Sequence, residues 1–151
     1  ADPEGEVAEY QDPQTHVLPS IIETVLGKRE VFSVFGNDYP TFDGTGVRDY
    51  IHVVDVARAH IQAMKHLESN VVCVQYNLGI QKGFSVLELI KTVEKVSGKK
   101  VPHDFRPRRL GDPSRLIARS ERAQRELGWK PEYTDIEAIV STAYDSFKDR
   151  P

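Results

Sequence analysis

Two arginines and one acid hold the most chemical promise in this chain. Arg48 stands in the run GVRDYIH and Arg109 in RRLGD, with Asp112 three positions later. A guanidinium fork matches a phosphate bidentately, and hydrogen bonds to charged groups contribute about 1.5–3 kcal/mol each. Two such groups on separate loops can clasp a diphosphate, leaving the nearby acid to accept from sugar hydroxyls. The residues alone leave another arrangement open, in which Arg48 pairs with Asp49 or Asp43 and Arg106–Arg109 is a solvated basic face. Phe35 closes an apolar run and is either a core ring or a stacking surface. Other chemistry finds little support. His52, His60 and His66 lack i, i+4 spacing, no Cys/His cluster has zinc spacing, and there is no G-x-S-x-G elbow. The Gly44-Thr45-Gly46 run precedes a strand-like segment, so it is not a dinucleotide fingerprint.

The elements that must position these residues alternate in type. Residues 1–14 read as a polar arm. Val17, Ile21, Ile22, Val25 and Leu26 recur at helical spacing after Thr15, an expected N-cap, and Gly27 stops the run. Val31–Phe35 reads as a strand and 37–46 as a loop. Val47–Val54 alternates and is expected to be a second strand. Asp55 is expected to cap a helix with Val56, Ala59, His60, Ala63 and Leu67 on one face. Val71–Leu78 is the most strand-like run, and Cys73 within it is expected to be a buried thiol. Ser85 and Glu88 form a capping box before Val86, Leu89, Ile90, Val93 and Val96. Short strands are expected at Val101–Phe105 and Arg115–Ala118, flanking a basic loop at 107–114. Ser120 and Thr134 are expected to cap two closing helices. The alternation indicates an α/β fold.

At 151 residues with 39% apolar and 28% charged residues, the composition is that of an ordinary globular domain. The net charge of −3 argues against a general nucleic-acid binder. No apolar run approaches the roughly 20 residues that span a bilayer, so no membrane partner is expected. A single cysteine forms no internal disulfide, which fits a cytoplasmic location. The chain opens ADPEGEVAEYQDP without an initiator Met, and truncation is the expected reason.

The run GNDYPTFDGTGVRDYIHVVD, together with RRLGD, PQTHVLP, YNLGIQKGFSVLELI and SERAQRELGWKPEY, resembles the UDP-glucose 4-epimerase family. That family lies within the extended short-chain dehydrogenases/reductases. The resemblance implies that Arg48 and Arg109 clasp the diphosphate of a UDP-sugar and that Asp112 bonds the ribose. It implies that Ser33, Val34 and Phe35 hold the uracil, with Tyr50 of the GVRDYIH motif in the same site. His16 and Val17 would contact the ligand near the diphosphate, and Leu116 would border the sugar. It also implies NAD chemistry by a Rossmann half and a Tyr-x-x-x-Lys pair, neither of which this chain supplies; Tyr144 and Lys148 lie on the terminal helix.

The expectation is therefore a C-terminal substrate-binding portion with part of the Rossmann domain missing. Residues 1–54 and 79–151 would form the UDP-sugar domain. Residues 55–78 would be a helix and strand belonging to the absent NAD-binding half, the implied partner. NAD would belong to the full-length family and not bind this portion, which would be inactive alone. An exposed apolar patch is expected around Val71, Val72, Val74 and Tyr76. The alternatives are a non-catalytic nucleotide-sugar module, or a related epimerase acting on another UDP-sugar.

Overall fold

The computed structural model describes residues 1–7 and 9–148; Ala8 and the last three positions of the 79–151 segment lie outside the described residues. Helix α1 (Val17–Val25) forms where apolar residues recur at helical spacing, and it buries Ile21, Ile22 and Val25. Its N-cap is His16 rather than Thr15, with no side-chain cap bond. Instead, the Gln14 side-chain oxygen accepts from the His16 amide at 3.0 Å. Gly27 adopts φ +79°, which ends the helix at little steric cost.

Strand β1 (Phe32–Phe35) follows. It pairs in parallel with β4 (His103–Arg106), from Phe32 opposite His103 to Phe35 opposite Arg106. A second small sheet has β2 (Val47–Arg48) at its centre. It runs antiparallel to β3 (Phe84–Ser85) and parallel to β5 (Arg115–Leu116). Four further helices complete the order: α2 (Val53–Ser69), α3 (Val86–Ser97), α4 (Glu121–Leu127) and α5 (Ile136–Lys148). The α/β reading holds.

Helices α1, α3 and α5 pack together against β1. Ile21, Ile22, Val34, Leu89, Ile90, Val93 and Val140 form their shared core. Burying each such side chain contributes about 1.5–3 kcal/mol. The Ser85–Glu88 capping box is present in full: the Ser85 hydroxyl accepts from the Glu88 amide at 3.0 Å and the Glu88 carboxylate accepts from the Ser85 amide at 2.8 Å. A second, smaller core joins Ala59 of α2 and Ala123 of α4 to Trp129, with Tyr76 and Leu78 packed on it.

Several expected boundaries move, each for a physical reason. The alternating run Val47–Val54 is a strand only at Val47–Arg48, because helix α2 already begins at Val53. His52 is its N-cap and its Nδ1 accepts from the Val54 amide at 3.3 Å. Asp55 is thus inside the first turn, not at the cap. Its fully buried carboxylate accepts from the amides of Glu132 at 2.9 Å and Tyr133 at 3.0 Å. His60 and Leu67, expected on the inward face of α2, are exposed.

The segment Val71–Leu78 contains no strand, which corrects the helix-and-strand reading of residues 55–78. Its β-branched residues have the propensity, but the described residues offer no neighbouring strand to complete a ladder. Val71, Val72 and Cys73 are exposed, so the thiol is not buried. Asp135 rather than Thr134 leads into α5, accepting from the Glu137 amide at 3.2 Å. Ser120 is the N-cap residue of α4, as expected, but makes no side-chain cap bond; its hydroxyl donates instead to the Gly79 carbonyl at 3.0 Å.

The buried carboxylate of Asp55 ties the start of α2 to the 132–133 turn, so its removal leaves two part-buried amide donors without their partner. Asp55→Ala is expected to lower unfolding stability by about 3 kcal/mol. A urea titration followed by Trp129 fluorescence checks this; a loss below about 0.5 kcal/mol would show that the turn finds other partners.

Candidate functional site

Arg48 leaves the central strand β2, paired with Phe84 on one side and Leu116 on the other. Both alternative partners weighed for it are engaged elsewhere. Asp43 accepts from the Thr45 amide at 2.9 Å and contacts the Ser85 hydroxyl, while Asp49 accepts from the amides of Ile80 and Ala118. The Arg48 guanidinium donates to the Val47 carbonyl at 2.9 Å and stands 3.7 Å from Asp112 Oδ1. Arg109, from the loop between β4 and β5, donates through Nε to Asp112 Oδ2 at 3.1 Å. Its guanidinium lies 4.6 Å over the Phe35 ring. Two arginines distant in sequence therefore meet at one carboxylate beside one aromatic ring.

They meet at a cleft of about 490 Å³. Of the residues singled out from sequence, Val17, Ser33, Val34, Phe35, Arg48, Tyr50, Arg109 and Asp112 line it. His16 and Leu116 do not. The His16 ring turns out to the arm, with Nδ1 2.8 Å from Glu9, and Leu116 is exposed on β5. The amide of His16 is also occupied by Gln14, so it is not a free donor for an anion.

Two guanidiniums against one carboxylate leave an excess of positive charge at the mouth. The pairs that hold it are partly solvated, and such pairs contribute only about 0–1 kcal/mol. An anion able to accept bidentately would displace them at little cost. Burial pushes the Tyr50 phenol up to about 12, against the opposing pull of Arg48, so it stays a neutral donor at physiological pH. The hydroxyls of Tyr50 and Tyr39 are buried and have no hydrogen-bond partner.

Tyr39, Arg29 and Gln14 also line the cleft, and none was singled out from sequence for it. Arg29 reaches back to the Gln14 carbonyl at 3.1 Å and to Glu23 at 3.3 Å, and lines the cleft with Phe32. The signal for Tyr39 was a tyrosine directly inside a glycine-bounded loop.

The GDP-mannose 4,6 dehydratase family matches residues 3–142. The chain belongs to this family. Within it, the chain is 46% identical over its whole length to the UDP-glucose 4-epimerase of Lacticaseibacillus casei, covering 46% of that protein. The UDP-glucose 4-epimerase of Brucella ovis, crystallised with NAD, superposes with a TM-score of 0.93 at 40% identity, covering 98% of this chain and 46% of its own. That of Bifidobacterium longum, crystallised with NAD⁺ and UDP, gives 0.87 at 36% identity over 97% of this chain and 43% of its own. The chain thus spans less than half the length of the relatives it matches. Its fold is that of part of an extended short-chain dehydrogenase/reductase, a family whose full-length epimerases are crystallised with NAD. Gly44–Gly46 runs into β2 rather than into a helix, so the residues present do not form a dinucleotide cradle there. No hydride-transfer step is assigned to this chain.

Above pH 10 the unfolded chain loses the Tyr50 proton that the folded protein retains. Stability is therefore expected to fall as pH rises from 10 through about 12, by on the order of 2 kcal/mol. Tyr50→Phe should remove that component, as read from denaturant midpoints at pH 8 and 11.5; identical pH slopes in both proteins would contradict it.

Proposed function

We propose that this chain is the UDP-sugar-binding part of a UDP-glucose 4-epimerase, which interconverts UDP-glucose and UDP-galactose through an NAD-dependent 4-keto intermediate. The observation that carries this reading is the convergence of Arg48 and Arg109 on Asp112 beside Phe35. The two guanidiniums grip the diphosphate and replace their weak bonds to Asp112 with charge-assisted ones. Asp112, once released, accepts from a ribose hydroxyl. Ser33 and Val34 offer backbone groups to the uracil and Phe35 offers its ring. The unpartnered hydroxyls of Tyr39 and Tyr50 supply further donors within the same cleft.

The NAD, the catalytic Tyr-x-x-x-Lys pair and the hydride step belong to an N-terminal half outside this sequence, a cytoplasmic partner in the same polypeptide. Residues 1–54 and 79–151 form the substrate domain, and residues 55–78 belong with the absent half. Exposed apolar side chains support the latter assignment. Ile61, Met64 and Leu67 of α2 and the following Val71 and Val72 all face solvent. At about 25 cal/mol per Å² of apolar surface left in water, such a stripe favours association.

UDP and UDP-glucose are expected to bind the chain. Arg48→Ala and Arg109→Ala should each weaken binding more than about tenfold, measured by calorimetric titration. Unchanged affinity would remove both arginines from the site. No epimerase turnover is expected from the chain alone with added NAD, and measurable conversion of UDP-galactose would refute this. The apolar stripe should bind a hydrophobic dye and drive self-association; a monodisperse monomer without dye binding would count against it.

A further inference from the structure

Arg108 and Arg109 are consecutive, but their side chains part. Arg109 lies in the anion cleft, whereas Arg108 is absent from its lining and borders a separate polar groove with Asn37, Asp38 and Phe105. The Arg108 guanidinium stacks 4.3 Å over the Tyr39 ring, and its Nε donates to Asp38 Oδ1 at 2.6 Å. A second nitrogen donates to the Asp38 carbonyl. Fork, carboxylate, carbonyl and ring together fix the guanidinium in one orientation.

The surface that receives it is rigid. Gly36 has φ +89°, and a Cβ there would collide with the Tyr39 ring and touch the Arg108 stem. The Tyr39 amide donates to the Gly44 carbonyl at 2.9 Å, and the Thr41 hydroxyl to the Thr45 carbonyl at 2.7 Å. Thr45 in turn is held by Asp43, which contacts Ser85. Loop 36–46 is thus tied to the start of α3.

The loop that carries Arg109 has much less of its own structure. Leu110 is fully exposed, Gly111 takes φ +85°, and the Asp112 amide donates to the Arg109 carbonyl at 3.3 Å. Beyond these, the loop meets segment 35–39 at two places: Arg108 on Asp38 and Tyr39, and Arg109 on Phe35. The second contact is the one an entering anion would rearrange. The first is not.

We infer that Arg108 is a positioning residue: it latches loop 107–112 to the rigid Tyr39 loop and so holds Arg109 at the anion cleft without touching the ligand. This inference rests on the nucleotide-binding reading above for its affinity readout, but not for its structural one. A general electrostatic contribution of Arg108 would act differently. It would be independent of Arg109, and removal of the Asp38 charge would strengthen anion binding rather than weaken it.

The test has two readouts. In the ligand-free chain, Arg108→Ala should raise amide hydrogen exchange at Arg109–Asp112 about tenfold or more while leaving α1 and α3 protected. Binding of UDP should weaken about five- to tenfold in Arg108→Ala. Arg108→Ala should have little further effect in an Arg109→Ala background, because the two act as one unit. Asp38→Asn, an exposed change that keeps the Arg108 charge, should weaken UDP binding. Unchanged exchange in Arg108→Ala, additive losses in the double variant, or tighter binding in Asp38→Asn would overturn the latch. If the unaltered chain does not bind UDP, the nucleotide reading fails, and the exchange result still decides for or against the latch.

Discussion

A single carboxylate, Asp49, governs how three crossings of the chain meet at the centre of the three-stranded sheet. Strand β2 is only two residues long, too short for its ladder bonds to fix the direction of Arg48 on their own. Asp49 directly follows Arg48 and accepts from the amides of Ile80 at 3.2 Å and Ala118 at 3.3 Å. It thereby joins the segment before β3 and the segment after β5 to β2. Burial pushes its carboxyl up, and the amide donors oppose that shift. A Cβ at Gly79 would collide with this carboxylate, so the close approach requires a residue without a side chain. The Ser120 hydroxyl, bonded to the Gly79 carbonyl, carries the same anchor to the start of α4.

The cleft follows from that placement. Arg48 emerges from a fixed strand, while Arg109 arrives on a loop, and Asp112 accepts from one and stands near the other. Like charges would otherwise drive the loop away from the strand. The carboxylate keeps both guanidiniums within reach of one point, through contacts weak enough to be exchanged for a stronger acceptor.

What could be read in the sequence divides along local and non-local lines. The capping box at Ser85 and Glu88 and the helical spacing of Ile21, Ile22, Leu89 and Val93 are local, and the structure has them as read. Val71–Leu78 has strong strand propensity but no strand to pair with, and propensity cannot supply a neighbour. Asp55 looked like a cap because its type and position suited one; its amide partners lie near residue 132, where no spacing rule reaches. Arg48, Arg109, Asp112 and Phe35 stood out by motif, while their mutual distances came only from the fold. Tyr39 and Arg29 carry no local signal for the cleft, because their places there depend on contacts across loops that have no periodicity.

The cleft also shares its walls with the larger core. Val17, Phe32, Val34 and Val86 border the open space on one side and pack into the helical layer on the other. A change at these positions alters the shape offered to a guest and the cohesion of the protein together. The Asp38–Arg108 contact lies outside that layer, on partly solvated side chains. Substitutions in the outer loops therefore reshape the rim of the cleft alone, whereas its innermost wall is bound to the demands of folding.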